Sequence, residues 1–221
     1  MNFDFSEDQK FLANEARKFL ESQCSMAEVR AVLDDESKPF NEGVWEKVVE
    51  MGWLGTSIPE EHGGLGLGML EMCVLAEEMG RVLAPVPFAS TAYFFTEALK
   101  LAGSEPQQAD LFPKIVSGEV VGCYAASEGP GNPDAGSLKT VFDGKTVSGL
   151  KVPVTDGDIA THAVVLAKDG KGASLVLVDL SAKGVTKKVL STLDPTRSHA
   201  ELTFDKVPAT LLGKSGDGAR L

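Results

Sequence analysis

Positive charge is in short supply along this chain: 21 Lys and Arg stand against 32 Asp and Glu, a formal net charge of −11. Nucleic-acid binding needs a basic stripe that displaces counterions from phosphates, so no nucleic-acid partner is expected. Adsorption to an anionic membrane surface is disfavoured for the same reason. A local cradle of backbone N–H groups can still bind phosphate in an acidic protein, so an anionic small ligand stays open. Cysteine is scarce too. Cys24, Cys73 and Cys123 are odd in number, far apart and free of CxxC spacing, which points to reduced, mostly buried thiols rather than a disulfide framework. His62, His162 and His199 lack ligand spacing and no HExxH occurs, so no metal site is expected. No apolar run approaches the roughly 20 residues that span a bilayer. The opening stretch, MNFDFSEDQK, carries acids where a targeting peptide carries Arg or Lys. The expectation is a cytoplasmic protein with no membrane partner.

What is present is an aliphatic chain that changes character near residue 119. Before it, apolar residues recur at helical spacing; after it, short β-branched runs alternate with Gly, Asp and Pro turns. Ser6 and Gln9 have capping-box spacing ahead of a face formed by Leu12, Ala16, Phe19 and Leu20. Asn41 caps a second predicted helix that buries Trp45, Val48 and Val49 and ends at Gly52. A third is predicted from Met69 to Met79, with Leu70, Cys73, Leu75 and Met79 inward and Gly80 as its stop. A fourth fills Phe88 to Leu101. Ser104 and Gln107 open a fifth, which Pro113 restarts or kinks. Beyond Gly118, Val120–Ala126 reads as a strand covered on both faces. Asp143-Gly144 signals a hairpin between 138–142 and 145–147. Runs at 163–167 and 174–178 flank a further turn, and later strands end at Val189 and Phe204. The fold class read from this pattern is α+β: an N-terminal all-α helical domain (1–119), then a small antiparallel β-barrel or sandwich (120–213). Residues 214–221 read as the start of a linker or helix into a C-terminal helical domain absent from the chain.

The densest local feature is Ile58-Pro59-Glu60-Glu61-His62-Gly63-Gly64-Leu65-Gly66-Leu67-Gly68. It misses the GxGxxG register, lacks GK[ST] and follows a helix rather than a strand, so by itself it is a glycine-rich turn between helices. In order along the chain, however, a helix ending Gly-Trp-Leu, this segment, and a helix carrying AEEMGRVLAP resemble the acyl-CoA dehydrogenase family. There the segment reads PEEYGGLG and is followed by an EELG pattern. The likeness continues through LFPKIVSGE into Tyr124-Ala125-Ala126-Ser127-Glu128, where the family has a strand ending Thr-Glu-Pro. It goes on through Ser148–Gly157, similar to a family stretch GxKxWITNG, and finishes at LTFDKVPATLLGKSGDGARL, similar to the end of the family's middle domain.

The resemblance implies FAD as cofactor. Tyr124, Ala126 and Ser127 fall where the family contacts the flavin ring, largely through backbone groups and one hydroxyl. Val154 and Thr155 fall where an Ile/Thr pair approaches it. Read locally, Ser127 and Thr155 are equally well turn residues, in Ser-Glu-Gly-Pro and Thr-Asp-Gly-Asp. Two departures stand out. Pro133 occupies a Ser position that helps bind the dinucleotide or ligand phosphates, and Pro153 occupies a Trp position that packs on the flavin. With Asp194-Pro195-Thr196-Arg197 they resemble a divergent branch that includes heteromeric enzymes acting on steroid and other bulky acyl-CoA substrates. Arg197 either holds a phosphate or carboxylate or pairs with Asp194. The pairs Glu60/Glu61 and Glu77/Glu78 read as solvated faces, and no residue is assigned as catalytic. The resemblance implies an acyl-CoA substrate and an α-proton abstracted by a carboxylate in a C-terminal domain, with no counterpart in these residues. It also implies electron-transferring flavoprotein as redox partner and a homo- or hetero-oligomer. Two functions follow: an acyl-CoA dehydrogenase lacking its base-bearing domain, or a non-catalytic partner subunit of a heteromeric one.

Overall fold

The computed structural model describes residues 4–35, 37–131 and 136–218. Its helices are α1 (Glu7–Gln23), α2 (Met26–Leu33), α3 (Glu42–Glu50), α4 (Met69–Arg81), α5 (Thr96–Ala102) and α6 (Glu105–Val116), with a π-helical stretch at Ala89–Phe95. The caps read from sequence are in place. Ser6 Oγ accepts the Gln9 N–H while Gln9 Oε1 accepts the Ser6 N–H, and Asn41 Oδ1 accepts the Val44 N–H at 3.0 Å. α2 escaped the sequence reading because it buries a single residue, Val29, and so shows no periodic stripe.

α4 runs through Gly80 to Arg81 and turns a different face inward from the one expected. Met72, Val74, Leu75 and Met79 are buried, whereas Leu70 and Cys73 are exposed. The orientation is set by Glu78, whose side chain is only 3% exposed and receives a two-pronged grip from Arg17 of α1 at 2.6 and 3.0 Å. Arg17 lowers the Glu78 pKa. Glu78 therefore ties α4 to α1 rather than lying on a solvated face. Cys24 and Cys123 are buried as expected; Cys73 is the exposed exception. The expected helix at 88–101 divides into the π-helical stretch and α5, joined where Thr96 Oγ1 donates to Thr91 O at 2.8 Å. α6 continues unbroken through Pro113.

The glycine-rich segment folds back on a short turn at Trp53–Gly55. Leu65 N, Gly66 N and Leu67 N donate to Gly55 O, Ile58 O and Thr56 O. A Cβ at Gly64 would overlap the Ile58 carbonyl, so this close backbone approach needs glycine. With those N–H groups spent internally, the segment is a structural turn and no anion cradle.

The strands are β1 (Gly122–Ala125), β2 (Val141–Phe142), β3 (Thr146–Thr155), β4 (His162–Asp169), β5 (Gly172–Asp179), β6 (Val185–Val189) and β7 (His199–Leu212). Pairings β4–β2, β2–β3, β3–β7, β7–β5 and β5–β4 close a ring, with β1 added along β4 and β6 along β7. The predicted barrel-or-sandwich is thus a barrel. Two of its contacts, β1–β4 and β2–β4, are parallel rather than antiparallel. The Asp143-Gly144 hairpin forms as read: Asp143 Oδ1 accepts the N–H of Lys145 and Thr146. β7 runs past Phe204 to Leu212.

β4 explains how helices and barrel meet. Its continuous apolar run is covered on both faces, with Ala163, Val165 and Ala167 in the barrel interior. Val164 and Leu166 join the core built by the helices. Polar links reinforce the seam. Thr91 Oγ1 accepts the Gly122 N–H at 3.2 Å, Ser90 Oγ donates to Asp156 at 2.6 Å, and Gln107 Nε2 donates to Leu211 O at 3.1 Å. At Gly122 a Cβ would sit inside the ring of Phe95, which is itself fully buried. Gly122→Ala is expected to lower stability by about 1–3 kcal/mol through overpacking. Urea unfolding of the variant measures it, and a change under about 0.5 kcal/mol would show that the seam yields freely.

Candidate functional site

β1 ends at Ala125, and the chain continues extended through Ala126, Ser127 and Glu128 alongside the far half of β3. The two segments are stitched by one residue. Val152 N donates to Ser127 O and Val152 O accepts from Gly129 N, both at 2.9 Å. Val152 is free to do this because β3 leaves its register with β7 between Lys151 and Val154. Pro153 lies in that gap. A proline cannot donate to a ladder, so it is tolerated where a bulge interrupts pairing. It is exposed and offers no aromatic surface. Pro133, the other departure, lies outside the described residues.

After the bulge, β3 re-pairs with β7 through Val154 with Ala200 and Thr155 with His199. Strand alternation then divides the pair. Val154 is fully buried in the barrel interior, which leaves only its backbone for any outside contact. Thr155 faces outward and is exposed. Tyr124 and Ala126 are half-buried against the helical core, and burial raises the Tyr124 phenol pKa. Ser127 is half-buried. Among the described residues, the hydroxyls of Ser127 and Thr155 make no hydrogen bond. The five residues singled out from sequence therefore lie on two segments that Val152 joins, and two of them present unspent hydroxyls.

Lys151 and Glu128 form a buried ion pair between the two segments. Lys151 is completely buried; its Nζ donates to Ala126 O and to Glu128 Oε1, each at 2.9 Å. Glu128 also accepts the N–H groups of Lys139 at 2.7 Å and Thr140 at 2.9 Å. Burial alone would raise the Glu128 pKa, but those N–H groups and the Lys151 ammonium bring it down to about 2. Burial pulls the Lys151 pKa down, against the attraction of Glu128. With a pKa of about 2, Glu128 is a carboxylate at neutral pH. The pair lies 23 residues apart in sequence, so spacing carried no signal of it.

The turn after Thr155 is also built from polar groups. Asp156 adopts φ 55°, is 3% exposed and accepts from Ser90. Burial pushes its carboxyl up to about 6, against the pull of Ser90 and Arg197. Asp158 accepts from Ser198 Oγ, and Lys187 Nζ donates to Asp158 O and Ala160 O. Arg197 makes no ion pair with Asp194 among the described residues; it reaches across the seam to Ala84 O at 2.9 Å, while Asp194 accepts from Thr196. His62 packs on Phe112, ring centroids 5.3 Å apart, and His199 Nδ1 lies 3.1 Å from Arg197 O. Among the described residues, no group of three His, Cys, Asp or Glu side chains comes together as a metal site.

Residues 6–119 match the family model described as "Acyl-CoA dehydrogenase, N-terminal domain". The chain is 31% identical to acryloyl-CoA reductase (NADH) of Anaerotignum propionicum, covering all of this chain and 60% of that protein. It is 30% identical to mitochondrial isovaleryl-CoA dehydrogenase of Pongo abelii, over 96% of this chain and 54% of the other. It therefore spans little more than half the length of these relatives. Among solved structures it is similar to a variant of the Tcur3481-Tcur3483 steroid ACAD, with 34% identity and a TM-score of 0.84 over 94% of this chain and 57% of that one. It is similar also to glutaryl-coenzyme A dehydrogenase in its glutaryl-CoA complex, with 25% identity and a TM-score of 0.88 over all of this chain and 60% of that one.

Proposed function

Because the chain belongs to the acyl-CoA dehydrogenase family, we propose that its two strand ends dock the flavin of an FAD-dependent acyl-CoA dehydrogenase. The observation that carries this reading is that Ser127 and Thr155, each with an unspent hydroxyl, stand on two segments joined through the backbone of Val152. FAD is the family's cofactor, and the residues present fit it. Two hydroxyl donors at rigid strand ends suit the polar edge of a flavin, and half-buried Tyr124 and Ala126 supply an apolar floor. Held by these residues, FAD would supply hydride acceptance from the β-carbon of an acyl-CoA, with electron-transferring flavoprotein as the family's onward acceptor.

The chain's own contribution is positional. Ser127 and Thr155 would donate to acceptors that gain electron density on reduction, and the barrel holds those donors still. No carboxylate among the described residues stands free beside the two hydroxyls: Glu128 is committed to Lys151, and Asp156 to Ser90. Proton abstraction is accordingly assigned to a carboxylate outside them. A second reading, a partner subunit within a heteromeric dehydrogenase, is favoured by exposed Pro153 at the family's Trp position. A homo- or hetero-oligomer and a cytoplasmic location complete the reading.

The test is cofactor uptake. After incubation with FAD and gel filtration, the chain is expected to elute with a flavin absorption band. Ser127→Ala and Thr155→Ala should each weaken FAD binding by about two- to tenfold, the net worth of one hydrogen bond. Elution free of flavin, or unchanged affinity in both variants, would overturn the site.

A further inference from the structure

The buried Lys151–Glu128 pair is not explained by stability alone, because apolar residues of similar volume usually serve a core as well or better. Its location is informative. The Lys151 ammonium binds the carbonyl of Ala126, the residue next to Ser127. Lys151 also adjoins Val152, the residue that stitches Ser127 to β3. Glu128 fixes the other side of Ser127 by accepting the N–H groups of Lys139 and Thr140. Ser127 thus sits between two residues locked to a single buried ammonium, and that ammonium belongs to β3, the strand that ends at Thr155.

We infer that Lys151 is a positioning residue for the cofactor: through the Ala126 carbonyl and Glu128 it sets the spacing and tilt of the Ser127 hydroxyl relative to Thr155. This rests on the flavin reading above and adds to it a residue that touches no ligand. A salt bridge with a purely structural role would be dispensable once its charges were removed together. A positioning lysine would not be, because the Ala126 carbonyl would lose its donor whether or not Glu128 was neutralised.

The experiment compares the full chain with Lys151→Met, the double variant Lys151→Met/Glu128→Gln, and Lys151→Arg. Urea unfolding of the FAD-free proteins and FAD binding with the bound flavin's visible spectrum are read side by side. Lys151→Met is expected to lose stability, because Glu128 is left unpaired. The double variant is expected to regain most of that stability while its FAD affinity stays about tenfold to hundredfold below wild type, with an altered flavin band. Lys151→Arg, which keeps a cationic donor, should recover part of the affinity. If the double variant binds FAD like wild type with an unshifted band, Lys151 is structural only and the inference falls. If wild type takes up no FAD, the flavin reading and this inference fall together.

Discussion

Glu128→Ala is expected to lower the unfolding free energy of the chain by about 3–5 kcal/mol at pH 7, the cost of leaving a buried charge without its partner. The lysine cannot reach water, since Lys151 is fully buried, and its remaining acceptor is the Ala126 carbonyl. The same substitution strips Lys139 N and Thr140 N of their acceptor. The pH dependence has a definite sign. Glu128 holds a pKa of about 2, against an ordinary value of 4.5. A depressed carboxylate contributes stability that is complete above its unfolded pKa and is lost as pH falls through the folded one. Wild type and variant should therefore differ fully at pH 6–7 and converge as pH drops from roughly 4.5 toward 2. Urea unfolding at both ends of that window decides the matter. A difference under about 1 kcal/mol at pH 7, or one that persists unchanged at low pH, would show that Lys151 finds other compensation.

Asp156→Asn is expected to act in the opposite direction and to stabilise the protein at neutral and alkaline pH. Burial lifts the Asp156 carboxyl from 3.8 to about 6, so the folded state binds this proton more tightly than the unfolded chain. Stability therefore falls as pH rises from about 4 through 6, by up to about 3 kcal/mol for two pKa units. Asparagine carries no charge at any pH, keeps an oxygen that can accept from Ser90, and tolerates the left-handed φ of 55° found here. The gain should be about 1–3 kcal/mol at pH 8 and should vanish near pH 4. Thermal or urea unfolding of the two proteins across that range measures it. A variant less stable than wild type at pH 8 would mean that the attraction of Arg197 and His199 for the carboxylate outweighs the cost of burying it. The family stretch that Ser148–Gly157 resembles has asparagine at this place.

The helix caps were legible because they depend on residues three apart. Ser6 with Gln9, and Asn41 with Val44, need no distant partner. The same locality made the Asp143-Gly144 hairpin readable. The inward face of α4 was not legible, because it is chosen by Arg17, on another helix, gripping Glu78. The π-helical stretch was hidden likewise, since its apolar spacing is that of a helix and its wider winding shows only in bonds such as Thr96 to Thr91. Parallel pairing of β1 with β4 could not be read from strands whose intervening segments look like hairpins. As for the site, Tyr124, Ala126, Ser127, Val154 and Thr155 came from ordered likeness to a family, never from their spacing. What joins their two segments is the Val152 backbone, and backbone bonds leave no mark on side-chain sequence. Pro153, noted as a lost aromatic, is also the residue at the break in the ladder that releases Val152 for this contact.

β4 separates two cores without belonging to either alone: Val165 packs inside the barrel and Val164 beneath the helices. A wall common to both cannot melt on one side and stay ordered on the other. Helices and barrel are in that sense a single cooperative unit, and the slowest local opening of the molecule is its global unfolding. For residues carried on the barrel's strand ends, this means that loosening of the helical layer and loosening of the barrel are coupled through β4.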